Sequence, residues 1–275
     1  MKAQDLRFSI IGAGALGGAV ARGLARAGCE VMASCPHPER RPEVAADGVH
    51  LTKDNPTAAS SGQIVMFAVK PHLTLDVIRE VAPLLRGKLC VSLAAVVPLR
   101  LLAEAALEAR WSRAMTSICA VMGVAFTGIA VPGDSTDEDK KQLLETFGLL
   151  GDAALTEEGK LDALTSLTGA APAFFLELLE AAAMGGIQAG LPKDLAYKGA
   201  TAAVLGTARL ILDSGRGASE LRDSICTPGG MTIEGIAELE RAGARGTMMR
   251  AVLATAEKGR VLTEALLKNL EQGRA

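Results

Sequence analysis

The sequence predicts an α/β fold in which an N-terminal doubly wound domain of the Rossmann type precedes an all-α helical domain. Short apolar segments typical of buried parallel strands alternate with helical segments in the first half. From about Leu161, long Ala- and Leu-rich segments with helical spacing replace that alternation. A chain of 275 residues also exceeds what one core usually holds. We therefore predict two domains, residues 1–158 and residues 159–275.

The first predicted strand and helix are joined by a glycine-rich turn. Residues 8–11 are apolar and lead into a Gly-x-Gly-x-x-Gly pattern that opens an Ala-rich helix. Gly12 permits the tight turn, Gly14 leaves room for a pyrophosphate, and Gly17 lets the helix pack closely on the sheet. The helix then directs unpaired N–H groups towards the phosphates. This pattern predicts a dinucleotide site, and an ordinary tight turn is the alternative.

The residues after the second predicted strand, Glu30–Ser34, indicate which dinucleotide binds. An NAD site has an acid at this strand's end for the ribose hydroxyl, and this chain has none there. Ser34 can donate to a phosphate, and Arg40 and Arg41 can neutralise one. The sequence therefore favours NADP(H), with NAD(H) as the weaker alternative. The other interpretation of the two arginines is that they begin a solvated helix.

Two further apolar segments predict strands that end near the same ligand. The segment Ile64–Val69 ends at Lys70 and Pro71, which places the lysine at the carboxyl end of a strand, where open α/β sheets bind ligands. A solvent-exposed charge is the alternative for this lysine. The segment Leu89–Val97 contains Ala94–Ala95, small residues that leave room for a flat ring.

The rest of the chain completes the sheet and then becomes helical. We expect Arg113–Ala130 to continue the sheet, a helix to start at Asp134–Lys141, and Gly151–Thr156 to form the last strand. Smooth, Ala-rich helices allow close approach, as in bundles that intertwine with a partner, and a monomeric bundle is the alternative. The predicted helices are Pro172–Ala189, Lys193–Asp213, Glu234–Arg241 and Thr247–Leu270.

Composition excludes several classes of protein. A net charge of −2 with one Trp and one Tyr leaves no basic or stacking surface for nucleic acid. The five cysteines lack a Cys-x-x-Cys pair, which fits reduced thiols, and the three histidines do not have metal-ligand spacing. The longest apolar runs, such as Leu89–Leu99, are shorter than the roughly 20 residues of a membrane span. Residues 1–10 lack the apolar region of a secretory signal. We expect a soluble, cytoplasmic protein with no membrane partner and no metal.

The apolar content of the chain predicts a subunit interface. Apolar residues make up 49% of the sequence, and 30 glycines add about 11%. The total of about 60% exceeds the ordinary 45–50% on the same count. The surplus apolar surface has to be covered, and a partner subunit would cover it.

A second glycine-containing loop predicts an anion site between the later helices. In Leu221–Ile233, Pro228 and two glycines force a turn directly before a helix, so backbone N–H groups converge without a Cβ in the way. No acid, lysine or histidine occurs in residues 224–233, so a side-chain proton here comes from a hydroxyl, such as those of Thr227 and Thr232. The alternative is that these residues only cap the helix.

This loop resembles the Ser-Pro-Gly-Gly-Thr-Thr segment of pyrroline-5-carboxylate reductases, and the similarity extends along nearly the whole chain. Further segments resemble that family in order and spacing: Ala33–Pro36, Ala68–Pro71, Thr168–Phe174 and Ala189–Pro192. The resemblance implies reduction of a cyclic imine carboxylate to L-proline by NADPH, the last step of proline biosynthesis. It also implies a homodimer through the C-terminal helices, with a larger ring built from such dimers as a further expectation.

The resemblance assigns residues to both ligands. The residues implied in cofactor binding are Ile11, Gly12, Ala13, Gly14, Ala15, Leu16, Gly17, Ser34, Asn55, Ala68, Val69, Lys70, Pro71, Leu93, Ala94 and Ala95. The residues implied in substrate binding are Thr168, Thr227, Gly229, Gly230, Met231 and Thr232. In the implied mechanism, the amides of Gly229 and Gly230 hold the carboxylate, and the Thr232 hydroxyl is the catalytic hydrogen-bond donor to the ring nitrogen.

The chain differs from the family near the predicted substrate. Met231 stands where the family usually has Thr or Ala, Ala170–Ala171 replace Ser-Gly, and Thr116–Ala120 lacks the expected Pro-Asn-Thr-Pro. These differences leave a related imine substrate and a non-catalytic NADPH-binding paralogue as alternatives. A β-hydroxyacid dehydrogenase is a third alternative, but those enzymes need a lysine on the first interdomain helix, and Pro172–Ala189 has none.

Overall fold

The structure, a computed structural model, describes residues 3–272. Its contacts divide the chain into two compact units. The first unit contains the residues up to Ala170 together with those from Ala254 onward, and the second is Ala171–Leu253. The domain boundary at residue 158 stays a prediction.

The first unit is built around an eight-stranded sheet with the order β3-β2-β1-β4-β5-β6-β7-β8. All neighbouring strands are parallel except β6 and β7, which are antiparallel. The strands are β1 (Arg7–Ile11), β2 (Glu30–Ser34), β3 (His50–Thr52), β4 (Ile64–Phe67), β5 (Leu89–Ser92), β6 (Arg110–Met115), β7 (Ala125–Ala130) and β8 (Gly151–Leu155).

Helices connect these strands and cover the sheet. They are α1 (Ala15–Arg26), α2 (Pro42–Ala46), α3 (Asn55–Ser61), α4 (Pro71–Val81), α5 (Leu99–Ala105), α6 (Asp137–Gly148) and α7 (Leu161–Thr165). Short 3₁₀ turns are formed by Ala3–Asp5, Pro38–Arg40, Ala82–Leu84, Ile118–Met122 and Glu158–Lys160, and Ser166–Ala170 forms a π-helical turn.

The strand β1 has buried apolar side chains on both faces of the sheet. Side chains alternate between the faces of a strand, so Phe8 and Ile10 pack in one apolar cluster and Ile11 packs in the other. All three are buried almost completely. Strands covered on both faces read as continuous apolar runs, and this is the pattern that the sequence shows. The carboxyl ends of β1, β4 and β5 therefore meet at one edge of the sheet, in its covered central part.

Three strand predictions were inexact at their ends. The segment predicted as Ile64–Val69 ends at Phe67, and the one predicted as Leu89–Val97 ends at Ser92. The segment Arg113–Ala130 contains the end of β6, a 3₁₀ turn and the antiparallel strand β7 rather than one continuation of the sheet. Beyond β5, Leu93, Ala94 and Val97 are buried in a loop, whereas Ala68 and Val69 beyond β4 are half-buried. In both places the apolar segment of the sequence is longer than the strand.

The second unit consists of helices. They are α8 (Ala171–Gln188), α9 (Lys193–Ser214), α10 (Ala218–Ile225), α11 (Met231–Arg241) and the first residues of α12 (Ala244–Glu271). The sequence predicted the starts of α8, α9, α11 and α12 to within three residues, and both α11 and α12 begin three residues earlier than predicted. α10 lies in a stretch that we interpreted as loop. The all-α character of this region is as predicted.

Large apolar side chains cover the surface of this helical unit. Phe175 in α8 is 53% exposed, and Leu205 and Leu212 in α9 are 69% and 77% exposed. The helical stretch Glu158–Gln188 is also long and apolar enough to cross a membrane by length and composition, with 11% of its most apolar window buried. The sequence analysis predicted no segment of this length, because Ser, Thr and Gly interrupt the apolar runs of the stretch.

The end of α12 belongs to the first unit. Leu266, Leu267 and Leu270 pack against the apolar cluster that contains Ile11. Gly259 of the same helix lies so close to Asp162 that a Cβ at this position would come within 3.1 Å of the carboxyl carbon. The last turns of α12 therefore complete a core whose strands come from the first part of the chain.

All five cysteines are free thiols, and three of them are buried. Burial raises the pKa of the Cys90 thiol in β5 to about 12 and also raises the pKa of the Cys29 thiol. A thiol with a raised pKa carries little thiolate near neutral pH and is a poor nucleophile. Neither cysteine is a candidate for covalent chemistry.

Candidate functional site

The glycine turn lies at the carboxyl edge of the sheet, between the ends of β2 and β4. The amides of Gly12 and Ala13 donate to the Ser34 carbonyl at 3.0 and 2.8 Å. Gly12 has a φ of +103°, and a Cβ there would come within 2.8 Å of the Val69 side chain. Only glycine adopts this backbone without strain, so the turn fixes the direction in which α1 leaves the sheet.

Gly14 and Gly17 face different surroundings. A Cβ at Gly17 would overlap the Gly12 carbonyl oxygen and come within 2.8 Å of the Ala68 side chain, so Gly17 lets α1 pack against the sheet. A Cβ at Gly14 would meet no protein atom within 4 Å. Gly14 is the N-cap of α1 and has no side-chain cap, so the first N–H groups of the helix are not satisfied by a capping side chain. This open, electropositive position fits a pyrophosphate.

The structure brings together two residues that lie 21 positions apart, Ser34 and Asn55. The Ser34 hydroxyl is fully buried and donates to the Asn55 side-chain oxygen at 2.8 Å. The Asn55 amide donates in turn to the Glu80 carboxylate at 3.0 Å. Asp54 caps α3 by accepting from the Thr57 amide at 2.7 Å, and hydrogen bonds from the Thr57 side chain and amide lower the pKa of the Asp54 carboxyl. Asn55 is thus held at the first position of a capped helix.

Sequence reasoning missed Asp54 and Glu80, which orient Asn55. The signal for Asp54 was present, since an acid two residues before Pro56 is the pattern of an N-cap followed by proline in the first turn. No signal identified Glu80, because its contact with Asn55 depends on how α4 packs beside α3. Of the two arginines that favoured NADP(H), Arg40 is exposed, and Arg41 precedes α2 and lies 3.8 Å from Glu43.

Two more predicted cofactor segments adjoin the glycine turn. The amide of Ala68 donates to the Ile11 carbonyl at 2.8 Å, and the amide of Leu93 donates to the Phe67 carbonyl at 2.8 Å. Lys70 is exposed and is the N-cap residue of α4, which starts at Pro71. The loops after β1, β4 and β5 therefore form one continuous edge.

The second glycine-containing loop lies between α10 and α11. Gly229 has a φ of +68°, the amide of Gly230 donates to the Thr227 carbonyl at 3.0 Å, and a Cβ at Gly230 would overlap the Thr227 hydroxyl. Both glycines are therefore required by the turn. The turn leads directly into α11, whose N-cap is Gly230 without a side-chain cap.

Thr232 and Met231 lie in the first turn of α11 rather than in the loop. Met231 is 93% exposed. Within residues 3–272, the Thr232 hydroxyl has no hydrogen-bond partner, so the helix-capping alternative is wrong for this residue. Thr232 lines a cavity of about 230 Å³ whose other walls include Leu210, Leu221 and Ile236. Its hydroxyl is free to meet a ligand.

The remaining predicted substrate residue, Thr168, lies in the π-helical turn Ser166–Ala170 of the first unit. Its hydroxyl donates to the Leu164 carbonyl at 3.1 Å. A Cβ at the neighbouring Gly169 would be 3.4 Å from the Thr116 carbonyl oxygen, so this turn packs against the end of β6. The segment 116–120 that differs from the family leads into the 3₁₀ turn Ile118–Met122, which is capped by Ser117. In the part of the chain that the structure describes, no three His, Cys, Asp or Glu side chains form a metal-binding group.

These features define a class of protein. A mainly parallel, covered sheet with a glycine turn that opens the first helix, followed by a helical unit, is the plan of nicotinamide-dependent oxidoreductases of two-domain type. Residues 7–96 match the family model described as NADP oxidoreductase, coenzyme F420-dependent. Residues 158–262 match the model described as pyrroline-5-carboxylate reductase dimerisation.

Full-length relatives specify the family. A pyrroline-5-carboxylate reductase from Pisum sativum is 37% identical over 261 residues, which cover 93% of this chain and 96% of the relative. The chain belongs to the pyrroline-5-carboxylate reductase family of NAD(P)H-dependent oxidoreductases, which reduce this cyclic imine to proline. The predicted family and fold class are thus confirmed, and the β-hydroxyacid dehydrogenase alternative is not.

Solved structures share the fold. The crystal structure of Plasmodium falciparum pyrroline carboxylate reductase with NADP bound has a TM-score of 0.86 at 23% identity, covering 94% of this chain and 99% of that one. The 1-pyrroline-5-carboxylate reductase from Streptococcus pyogenes has a TM-score of 0.80 at 27% identity, covering 94% and 99%.

Proposed function

We propose that this chain reduces 1-pyrroline-5-carboxylate to L-proline with NADPH. The observation that carries the proposal is the similarity to reductases of that name over nearly the whole length of both chains. The structure supports it with an open glycine turn at Gly14 for a pyrophosphate and an unpartnered Thr232 hydroxyl beside a glycine-lined turn. When bound, NADPH supplies the hydride to the C=N carbon, and a proton from water completes the secondary amine.

The residues of the sheet edge hold and orient the cofactor in this proposal. The first amides of α1 bind the pyrophosphate, and Ser34 with Asn55 lies where the second strand ends, near the ribose phosphate. Lys70 is exposed and free to approach a phosphate. The loop Leu93–Ala95 forms a wall of small and apolar residues beside the nicotinamide.

The substrate is bound by the turn before α11. The Gly230 amide already donates to the Thr227 carbonyl within the turn, so of the two glycine amides that the sequence predicted only that of Gly229 is left to hold the carboxylate. Thr227 braces the turn, and the Thr232 hydroxyl donates to the ring nitrogen. Thr168 and Met231 are proposed as further contacts. Because the C=N carbon of the imine is already electrophilic, the protein mainly has to position the reactants.

Activity is tested by following NADPH absorbance with 1-pyrroline-5-carboxylate and by identifying proline as the product. We expect one proline for each NADPH oxidised. NADPH binding without turnover would support the non-catalytic alternative, and turnover only with a different cyclic imine would support the alternative substrate.

We expect the enzyme to prefer NADPH over NADH by more than tenfold in kcat/KM. Each charge-assisted hydrogen bond to the additional phosphate is worth about 1.5–3 kcal/mol, and about 1.4 kcal/mol is a factor of ten. Steady-state kinetics with both cofactors measures this ratio, and equal values would contradict it. Ser34→Asp should shift the ratio towards NADH by repelling the phosphate, whereas the control Ser34→Ala should lower both values without reversing the preference.

We also propose that the protein is a homodimer formed through its helical half, with a larger ring of dimers as a further expectation. The exposed apolar side chains of α8 and α9 and the match to a dimerisation model support this assembly. The apolar stretch Glu158–Gln188 is then covered by protein rather than by lipid. A cytoplasmic location stays a prediction.

Light scattering on the full chain is expected to give at least the mass of a dimer at micromolar concentration. Leu205→Arg in α9 should reduce that mass, because the arginine would lose its hydration in an apolar interface and would gain no counter-charge there. Leu107→Arg is the matched control, since Leu107 is also exposed, at 84%, but lies in the first unit. A monomeric wild-type chain would contradict the assembly.

A further inference from the structure

The loop that connects β5 to α5 is anchored at both ends. This loop, residues 93–98, contains Leu93, Ala94 and Ala95, three of the residues that the family resemblance assigns to the cofactor. At its start, the amide of Leu93 donates to the Phe67 carbonyl at 2.8 Å. Just beyond its end, the amide of Leu99 donates to the Glu158 carboxylate at 2.7 Å. The second anchor thus comes from a side chain 59 positions further along the chain.

The backbone between the two anchors is strained. Val96 has a φ of +64° and is the one non-glycine residue with positive φ in the described part of the chain. It is 7% exposed, so its side chain is packed. A β-branched residue rarely adopts this conformation, and such strain persists only where the surrounding structure enforces it. The hydrogen bonds at the two ends of the loop therefore help to hold Val96 in its strained conformation.

The Glu158 side chain is itself fixed by a buried cation. Arg113 in β6 is 5% exposed and pairs in register with Ser92, the last residue of β5. Its guanidinium donates to the same Glu158 oxygen at 2.8 Å. A buried charge requires its counter-charge, so the carboxylate cannot easily turn away from the sheet. The neighbouring Glu157 does not share this role, since it lies 3.3 Å from Lys160 and is 77% exposed.

We propose that Glu158 is a positioning residue for hydride transfer. Held by Arg113, it fixes the amide of Leu99 and so keeps the strained loop 93–98 in the place where it meets the nicotinamide. The proposal rests on the proposed function, because it assumes that this loop borders the reacting end of the cofactor. It adds a residue that contacts neither cofactor nor substrate.

The position of the loop should affect the rate more than the affinity. Most of the binding free energy for NADPH comes from its phosphates, which are held at the ends of β1 and β2, away from this loop. A displacement of the nicotinamide by about 1 Å, in contrast, can slow transfer about a hundredfold. Loss of Glu158 should therefore lower kcat and leave the dissociation constant of NADPH nearly unchanged.

The test compares Glu158→Ala with Glu157→Ala at a temperature well below both melting temperatures. We expect kcat of Glu158→Ala to fall at least tenfold, with the dissociation constant of NADPH within about threefold of wild type by fluorescence titration. The isotope effect on kcat with C4-deuterated NADPH should rise, since hydride transfer becomes limiting. Glu158→Gln should recover part of the rate, and Glu157→Ala should stay within twofold of wild type.

A second pair of variants removes the other partner of the anchor and covers the case in which Glu158→Ala does not fold. Leu99→Pro deletes the N–H group that Glu158 accepts, and proline is tolerated at the first position of a helix. Leu99→Ala loses the same side chain but keeps the N–H group. We expect kcat of Leu99→Pro to be at least fivefold below that of Leu99→Ala.

The outcomes separate this proposal from the proposed function. A wild-type protein without activity on 1-pyrroline-5-carboxylate would overturn the function. The positioning role alone would be overturned if the wild type is active and the variants Glu158→Ala and Leu99→Pro lose only thermal stability. In that case kcat and the isotope effect would be unchanged in both variants.

Discussion

Thr232→Ala is expected to lower kcat about a hundredfold while leaving NADPH affinity near that of wild type. The Thr232 hydroxyl has no partner within residues 3–272 and lies in the turn of α11 that follows the two glycine amides. A single positioned donor to nitrogen as it gains electron density is worth about this much in rate. Thr232→Ser should recover most of the activity, and Thr232→Val, which keeps the shape, should not.

Thr207→Ala is the control for this experiment. Thr207 lines the same cavity, but its hydroxyl donates to the Ala203 carbonyl of its own helix at 2.7 Å. Its removal should change kcat less than twofold. An unchanged kcat in Thr232→Ala would remove this hydroxyl from the mechanism, and equal losses in Thr207→Ala would indicate a packing effect instead.

Gly14→Ala is expected to weaken NADPH binding about a hundredfold without lowering the melting temperature. The new Cβ meets no protein atom within 4 Å, so it does not disturb the fold. It would occupy the space into which a pyrophosphate must come to reach the first amides of α1. Loss of two charge-assisted hydrogen bonds at about 1.5 kcal/mol each corresponds to that factor.

Gly148→Ala serves as the matched control, because its Cβ also meets open space but lies at the end of α6. It should bind NADPH like wild type. Gly17→Ala provides the opposite case, since its Cβ would overlap the Gly12 carbonyl and should prevent correct folding of the turn. Titration of NADPH fluorescence together with thermal melts measures these effects. Normal NADPH affinity in Gly14→Ala would place the pyrophosphate elsewhere.

The sequence predicts the glycine turn well because its function depends on backbone shape. The spacing of Gly12, Gly14 and Gly17 follows from steric rules that act within a few residues, and the structure gives each glycine distinct surroundings. The hydrogen bond between Ser34 and Asn55 depends instead on how β2 and α3 pack. The local sequence around either residue carries no sign of it.

The ends of elements were harder to predict than their existence. Leu93, Ala94 and Val97 lie beyond the end of β5 but are buried in the two apolar clusters of the first unit. An apolar pattern alone cannot distinguish such a loop from a strand. α10 was missed because it has only eight residues and most of them are polar, so it resembles a loop in composition. Thr232 was placed in a loop because α11 begins at Met231, three residues before the predicted start.

The packing of the end of α12 on the first unit constrains the order of events during synthesis. Leu266, Leu267 and Leu270 cover an apolar cluster whose other members come from residues 11 to 161, so the ribosome makes these three leucines after all the others. A nascent chain therefore carries an uncovered patch on its first unit until the end of α12 has been made. A premature stop before Leu266 would expose this patch, and chaperones or proteases would recognise the product although every residue predicted to contact a ligand had been made.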